Sequence, residues 1–225
     1  MTPLAIGGLV PFSTVDYPRA LSAVVFCQGC PWSCRYCHNP HLQTVRPALS
    51  WAQVRDDLRR RQGLLGAVVF SGGEPLLQPG LAGALDEVRG MGFRTGLHTG
   101  GYDPVHLASL LPGLDWVGLD IKAPRHRYDA LTGSPGSADA AWASLAQLQS
   151  QGCWHEVRTT WQPRVLPEGD LLELATQLFE EGVREWVIQG FRAEGCRDEG
   201  LLPAHLAPEW LASLGSSFRG TIVFR

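Results

Sequence analysis

Short apolar runs, each closing on a Gly, Ser, Thr or Asp, recur along the chain, and segments with apolar residues at helical spacing fill the intervals. The runs LSAVVF (21–26), AVVF (67–70), FRTGLH (93–98), DWVGLD (115–120), WHEVRTTW (154–161) and EWVIQG (185–190) predict six strands. Helix starts are marked by residue chemistry. Ser50 and Gln53 form a capping box, Asp103 precedes a helix beginning at Pro104, and Ser137 opens ADAAWASLAQLQSQG, which Gly152 ends. A further helix runs over about 170–181, before Gly182. Such βα alternation predicts an α/β fold with a parallel sheet and right-handed crossovers. Six units fall short of a complete eight-stranded barrel, which leaves an open doubly wound sheet or a partial barrel. The final TIVFR offers an edge strand.

Composition narrows the picture. A chain of 225 residues, 44% hydrophobic, can bury one substantial core, and no repeat, low-complexity tract or linker divides it. One domain is therefore expected over residues 1–225, with a core at about 20–192, a β extension over 1–19, and a helix and strand in 193–225. A formal charge of −3 with scattered basic residues gives no broad field for nucleic acid or a membrane, and the basic run 59–61 reads as a solvated helix face. The opening MTPLAIGGLVPFSTVDYP lacks a positive n-region and is broken by Gly and Pro, so neither a secretory signal nor a membrane span is expected, and the location predicted is cytoplasmic. In a reducing compartment, six cysteines with four in residues 27–37 point to metal or redox chemistry rather than disulfides. Cys153 and Cys196 stand apart and read as packed thiols.

In parallel α/β folds the chemistry sits beyond the carboxyl ends of the strands. There this sequence places FCQGCPWSCRYCHNP (26–40), SGGEP (71–75), HTGGY (98–102), DIKAP (120–124), RTT (158–160) and QGFR (189–192). A structural zinc site prefers two ligand pairs separated by a dozen or more residues. Only three residues separate Cys30 from Cys34, a spacing that strains that reading. Iron–sulfur clusters accept closely spaced thiolates. Cys30, Cys34 and Cys37 form CxxxCxxC, and three thiolates on a four-iron cube leave one iron open to substrate.

CxxxCxxC after the first strand, an aromatic before its last Cys and SGGEP after the second strand resemble the radical S-adenosylmethionine enzymes. The resemblance implies a partial (β/α)6 barrel, TIM-like, with a 4Fe–4S cluster and S-adenosylmethionine bound at the open iron. The longer opening IGGLVPFSTVDYPRALSAVVFCQGCPWSCRYCHNP, followed by DIKAP, YDALTG, RTT and VIQGF, is similar to the activating proteins of anaerobic ribonucleoside-triphosphate reductase over about residues 5–192. It implies that flavodoxin or ferredoxin supplies one electron to the cluster. Reductive cleavage of S-adenosylmethionine to a 5′-deoxyadenosyl radical would then remove a Cα hydrogen from a glycine of the reductase's glycyl radical subunit. The alternatives are activation of another glycyl radical enzyme, of pyruvate formate-lyase type, or small-molecule chemistry resembling 7-carboxy-7-deazaguanine synthase. From a different class come a zinc-binding or ferredoxin-like electron-transfer module.

On that resemblance Cys30, Cys34 and Cys37 ligate the cluster, and Cys27, where Thr is more usual, is a bystander. No protein group beyond cluster and cofactor is assigned as catalytic. Tyr36 and His38 flank the last ligand, Tyr36 towards the adenine; Gly72 and Gly73 allow close backbone approach, and Glu74 is either a polar partner or a scaffold for the turn. Lys122, the chain's single lysine, faces the ribose or carboxylate. Arg158, costly to bury without an anion, pairs with the cofactor carboxylate or with Asp120. Val187, Ile188 and Gln189 form an adenine wall. Related pyruvate formate-lyase activating enzymes hold a monovalent cation with an acidic residue, a Thr and an Asp. This chain has Thr99 and Asp120 but places His98 at the acidic position, as a hydrogen-bonding or protonatable group.

Overall fold

The computed structural model describes residues 4–204 and 207–225. Its eight strands follow chain order in one sheet: β1 (Ile6–Ser13), β2 (Ser22–Cys27), β3 (Ala67–Gly72), β4 (Arg94–Thr99), β5 (Trp116–Asp120), β6 (His155–Trp161), β7 (Glu185–Gly190) and β8 (Thr221–Phe224). The six expected strands are β2 to β7, with ends shifted by a residue or two, and β8 is the TIVFR edge strand. β2–β3, β3–β4, β6–β7 and β7–β8 pair in parallel, whereas β1 runs antiparallel to β2. Near-continuous apolar runs such as SAVVFC suit strands covered on both faces.

The helices are α1 (Trp51–Arg59), α2 (Leu81–Gly90), α3 (Pro104–Leu110), α4 (Arg125–Thr132), α5 (Ser137–Ser150), α6 (Glu168–Glu180) and α7 (Pro208–Ser217). Both halves of the Ser50–Gln53 capping box form, and Asp103 accepts from the Val105 and His106 amides at the start of α3. α6 begins two residues earlier than its apolar pattern indicates, and α1 stops at Arg59. Arg60 and Arg61 therefore lie beyond the solvated helix face expected for them, and both pair with Asp57.

The chain divides into two compact units. The first comprises residues up to Pro31, His41–Gly118 and Ala140–His155. In it Tyr17, from the DYP turn, is 1% exposed and packs with Val24, Ala67, Val69 and Trp116. Its ring meets those of Trp116 and Trp154 edge-on at 5.6 and 6.2 Å, and the Arg94 guanidinium lies 5.0 Å from its centroid. A Cβ on Gly96 would come 3.1 Å from the Tyr17 ring, so the bare β4 backbone makes room for that plug.

The second unit comprises Trp32–Pro40, Leu119–Asp139 and Glu156–Arg225. Trp186 of β7 is fully buried against Phe218, 5.6 Å away, and its indole N–H donates to Thr159 Oγ1 at 2.9 Å. Leu171, Leu174 and Leu178 form the buried stripe of α6. Arg225 reaches from the residue after β8 to a bidentate pair with Glu156 of β6, at 3.0 and 2.9 Å.

Candidate functional site

The predicted residues fall into both units. In the first unit Cys27 is the last residue of β2, in register with Gly72, and has no exposed surface. Burial foremost, and then the Glu74 carboxylate, push its thiol up to about 12. Cys30, three residues on, is partly exposed. Gly72 has φ +117°, and a Cβ there would lie 2.6 Å from the Cys27 amide nitrogen and collide with the Cys27 carbonyl. On Gly73 a Cβ would run into the Gly29 carbonyl and reach 3.2 Å from that of Leu42. The two turns are stitched directly: Gly73 N–H donates to Cys27 O at 2.9 Å, and Glu74 N–H to Gly29 O at 2.8 Å.

Glu74 is 1% exposed. Its Oε1 accepts from Leu76 N–H at 3.0 Å and Thr99 Oγ1 at 2.6 Å, and its Oε2 from Gly100 N–H at 3.0 Å. These bonds join the ends of β3 and β4 through Glu74, as the scaffold role weighed for it requires. Thr99 in turn accepts from Gly101 N–H at 2.9 Å. His98, on the other face of β4, donates from Nε2 to Asp16 O at 2.9 Å and meets Trp116 edge-on. Two buried glutamines that carry no motif brace the start of the cysteine loop: Gln78 Nε2 donates to Gln28 O at 2.6 Å, and Gln28 Oε1 accepts from Arg46 N–H at 2.9 Å. Nothing in their spacing marks them.

In the second unit Arg158, 7% exposed, pairs with Asp120 Oδ1 through Nε at 2.9 Å and Nη2 at 2.8 Å. Asp120 is one of the two anions weighed for Arg158. Lys122 Nζ lies 3.5 Å from the other Asp120 oxygen and 5.6 Å from the Trp32 ring centroid. Burial disfavours the Lys122 charge, but Tyr36, Asp120, Cys34 and Tyr128 outweigh it and hold the ammonium well above the usual lysine range. Tyr128 donates to Asp120 O at 3.1 Å. Cys34 is buried and Cys37 partly exposed. Burial raises the Cys34 thiol, against the lowering effects of Lys122 and Arg197. His38 donates from Nε2 to Arg192 O at 2.7 Å and stacks on Phe191 at 5.3 Å, which commits its ring to the segment after β7. Val187 and Ile188 are buried in β7, where Ile188 pairs with Thr159 and Phe224, while Gln189 is half-buried beside Thr160.

The donor set fits an iron–sulfur cluster. Cys30, Cys34 and Cys37 lie within eight residues of chain, all six cysteines are free thiols, and the fourth thiol of the loop is sealed in the sheet. Among the described residues no three His, Cys, Asp or Glu side chains are grouped as they would be around a single metal ion. Tyr36 adds a buried hydroxyl with no hydrogen-bond partner among the described residues, beside a charged lysine. Such a hydroxyl suits a polar ligand.

Known proteins agree with this chemistry. A Methanocaldococcus jannaschii protein that bears the name of a glycyl-radical enzyme activating enzyme is 27% identical over 205 residues, 86% of this chain and 82% of its own. The pyruvate formate-lyase-activating enzyme of Clostridium pasteurianum is 37% identical over 129 residues, 53% of each chain. The crystal structure of Streptococcus suis SuiB bound to S-adenosylmethionine shares the fold, with a TM-score of 0.64 at 14% identity over 88% of this chain and 48% of SuiB. Residues 24–175 match the Radical SAM superfamily, whose enzymes bind a 4Fe–4S cluster and S-adenosylmethionine. With that match running from β2 into α6 and the cysteine triplet inside it, the chain belongs to the radical SAM superfamily.

Proposed function

We propose that this chain is an activating enzyme that installs a glycyl radical on anaerobic ribonucleoside-triphosphate reductase, drawing its electron from a flavodoxin or ferredoxin in the cytoplasm. The observation that carries the activase reading is similarity to a glycyl-radical enzyme activating enzyme along 86% of the chain. The reductase is favoured as target by the continuous opening from Ile6 through CHNP.

When bound, the cluster and S-adenosylmethionine supply abstraction of a hydrogen atom from a glycine Cα. The chain's own residues do the rest. Cys30, Cys34 and Cys37 hold the cluster as thiolates. Lys122 keeps a positive charge beside Cys34, where negative charge gathers. Tyr36 offers its hydroxyl to the bound cofactor. Asp120 holds Arg158 and Lys122 in place, and Glu74 fixes the turn that carries Gly72 and Gly73. Val187 and Gln189 lie on one face of β7 and Ile188 on the other, and the carboxyl end of that strand is what the chain offers to the adenine.

The test is anaerobic reconstitution with iron and sulfide, followed by reduction with S-adenosylmethionine present. A brown protein that yields methionine is expected, and Cys30→Ala, Cys34→Ala and Cys37→Ala should each abolish that yield while Cys27→Ala keeps most of it. Mixed with the reductase of the same genome, the enzyme should give a glycyl doublet by electron paramagnetic resonance. A doublet only with pyruvate formate-lyase would move the target to that enzyme, a second reading favoured by the 37% identity to the clostridial protein. Tight, colourless zinc binding would overturn the enzyme reading.

A further inference from the structure

Three alternate carbonyls of the cysteine loop, those of Ser33, Arg35 and Cys37, are capped by one short segment far along the chain. Arg197 N–H donates to Cys37 O at 2.9 Å, Arg197 Nη1 to Ser33 O at 3.1 Å, and Cys196 Sγ to Arg35 O at 3.6 Å. Side chains close the same contact: Arg35 pairs with Asp198 through Nε at 3.0 Å and Nη2 at 2.5 Å, and His38 is held by Phe191 and Arg192 O. All of these groups lie in the second unit. The loop itself has little regular structure, so its backbone polar groups depend on such partners. A ligand loop must also be ordered before it binds, because thiolates on a mobile chain lose affinity to conformational entropy.

We infer that residues 191–198 are a clasp that positions Cys34 and Cys37, with the Arg35–Asp198 pair setting how long the cluster is retained and Arg197 setting its reduction potential. The inference rests on the reading that these cysteines ligate the cluster. Asp198 works at a distance: it orients Arg35, which with Tyr36 lies between the two thiols, and its remaining oxygen accepts from Gly200 N–H at 3.0 Å, which fixes the segment's own turn. Arg197 contributes both shape and charge. A guanidinium held against the loop favours electrons arriving on an anionic cluster.

The experiment uses the full chain, reconstituted anaerobically. Iron per chain, the rate of iron loss to an added chelator, the cluster's midpoint potential and hydrogen exchange of residues 33–40 before reconstitution are measured. Asp198→Asn should release iron roughly tenfold faster and speed exchange in residues 33–40 while exchange in β2 to β4 stays unchanged. The exchanged pair Arg35→Asp with Asp198→Arg should restore slow release. Arg197→Gln, which keeps a donor for Ser33 O but removes the charge, should lower the midpoint potential at wild-type iron content. Wild-type release, exchange and potential in Asp198→Asn and Arg197→Gln would overturn the clasp alone. A wild-type chain that takes up no cluster would overturn the ligand reading and the clasp with it.

Discussion

Cys27 and Cys30 are three positions apart and live in opposite surroundings. Cys27 ends a strand under the Gly72 backbone, whereas Cys30 keeps exposed surface. The consequence appears in alkaline solution. Unfolded, Cys27 gives up its proton near its ordinary value of 9.0; folded, it holds the proton to about 12. Its contribution to stability is therefore complete below pH 9 and is lost as pH rises from about 9 to about 12. Urea unfolding of the cluster-free chain at pH 8 and at pH 11 should show this loss, and the Cys27→Ala chain should lose less between the same two conditions. Iodoacetamide at pH 8 should label Cys30 and Cys37 and leave Cys27 untouched, because the thiolate is the reactive form. In the sequence the four thiols look alike, and only family resemblance sets Cys27 aside. Its physical isolation comes from the β2–β3 register, which spacing alone does not encode.

Elements with a strong local signature are legible in the sequence itself. β2 to β7 announce themselves as apolar runs, and α1 and α3 as caps followed by periodic residues. α4 does not, because RHRYDALT buries only Tyr128 and Thr132 and shows no apolar stripe. Its anchor is the fully buried Tyr128, whose hydroxyl donates to Asp120 O, while the ion pairs from Arg125 and Arg127 to Glu181 and Asp170 lie at the exposed rim and add little. The buried carboxylate at the end of β3 is visible as part of SGGEP, but its role is not. Glu74 links elements by satisfying a hydroxyl and two backbone N–H groups. Glu74→Ala should therefore destabilise the chain by about 2–4 kcal/mol in urea unfolding, because three buried donors lose their acceptor. Glu74→Gln keeps the size but brings an NH₂ where only acceptors fit, and should recover less than half of that loss. Asp103→Ala, which removes one exposed cap, should cost only about 1 kcal/mol.

On the scale of the whole chain, the parts least legible in the sequence are those that act over long separations. Arg225 caps a buried Glu156 across 69 residues, and neither carries a motif. Its own side chain is 50% exposed, so Arg225→Ala should cost about 2 kcal/mol, less than a fully buried pair would, and Glu156→Gln in that background should recover part of the loss. Thermal unfolding of the parent chain and the two variants checks this. The segment after β7 carries no signature for a related reason: most of its hold on the cysteine loop runs through backbone carbonyls, which any sequence provides. Those contacts span 160 to 164 residues. A ribosome adding about 5–20 residues each second therefore delivers the sulfurs roughly 8–30 s before the groups that order them. Iron offered to the growing chain would meet a loose loop, so the proposed clasp implies that cluster insertion follows synthesis, as a maturation step on the folded protein.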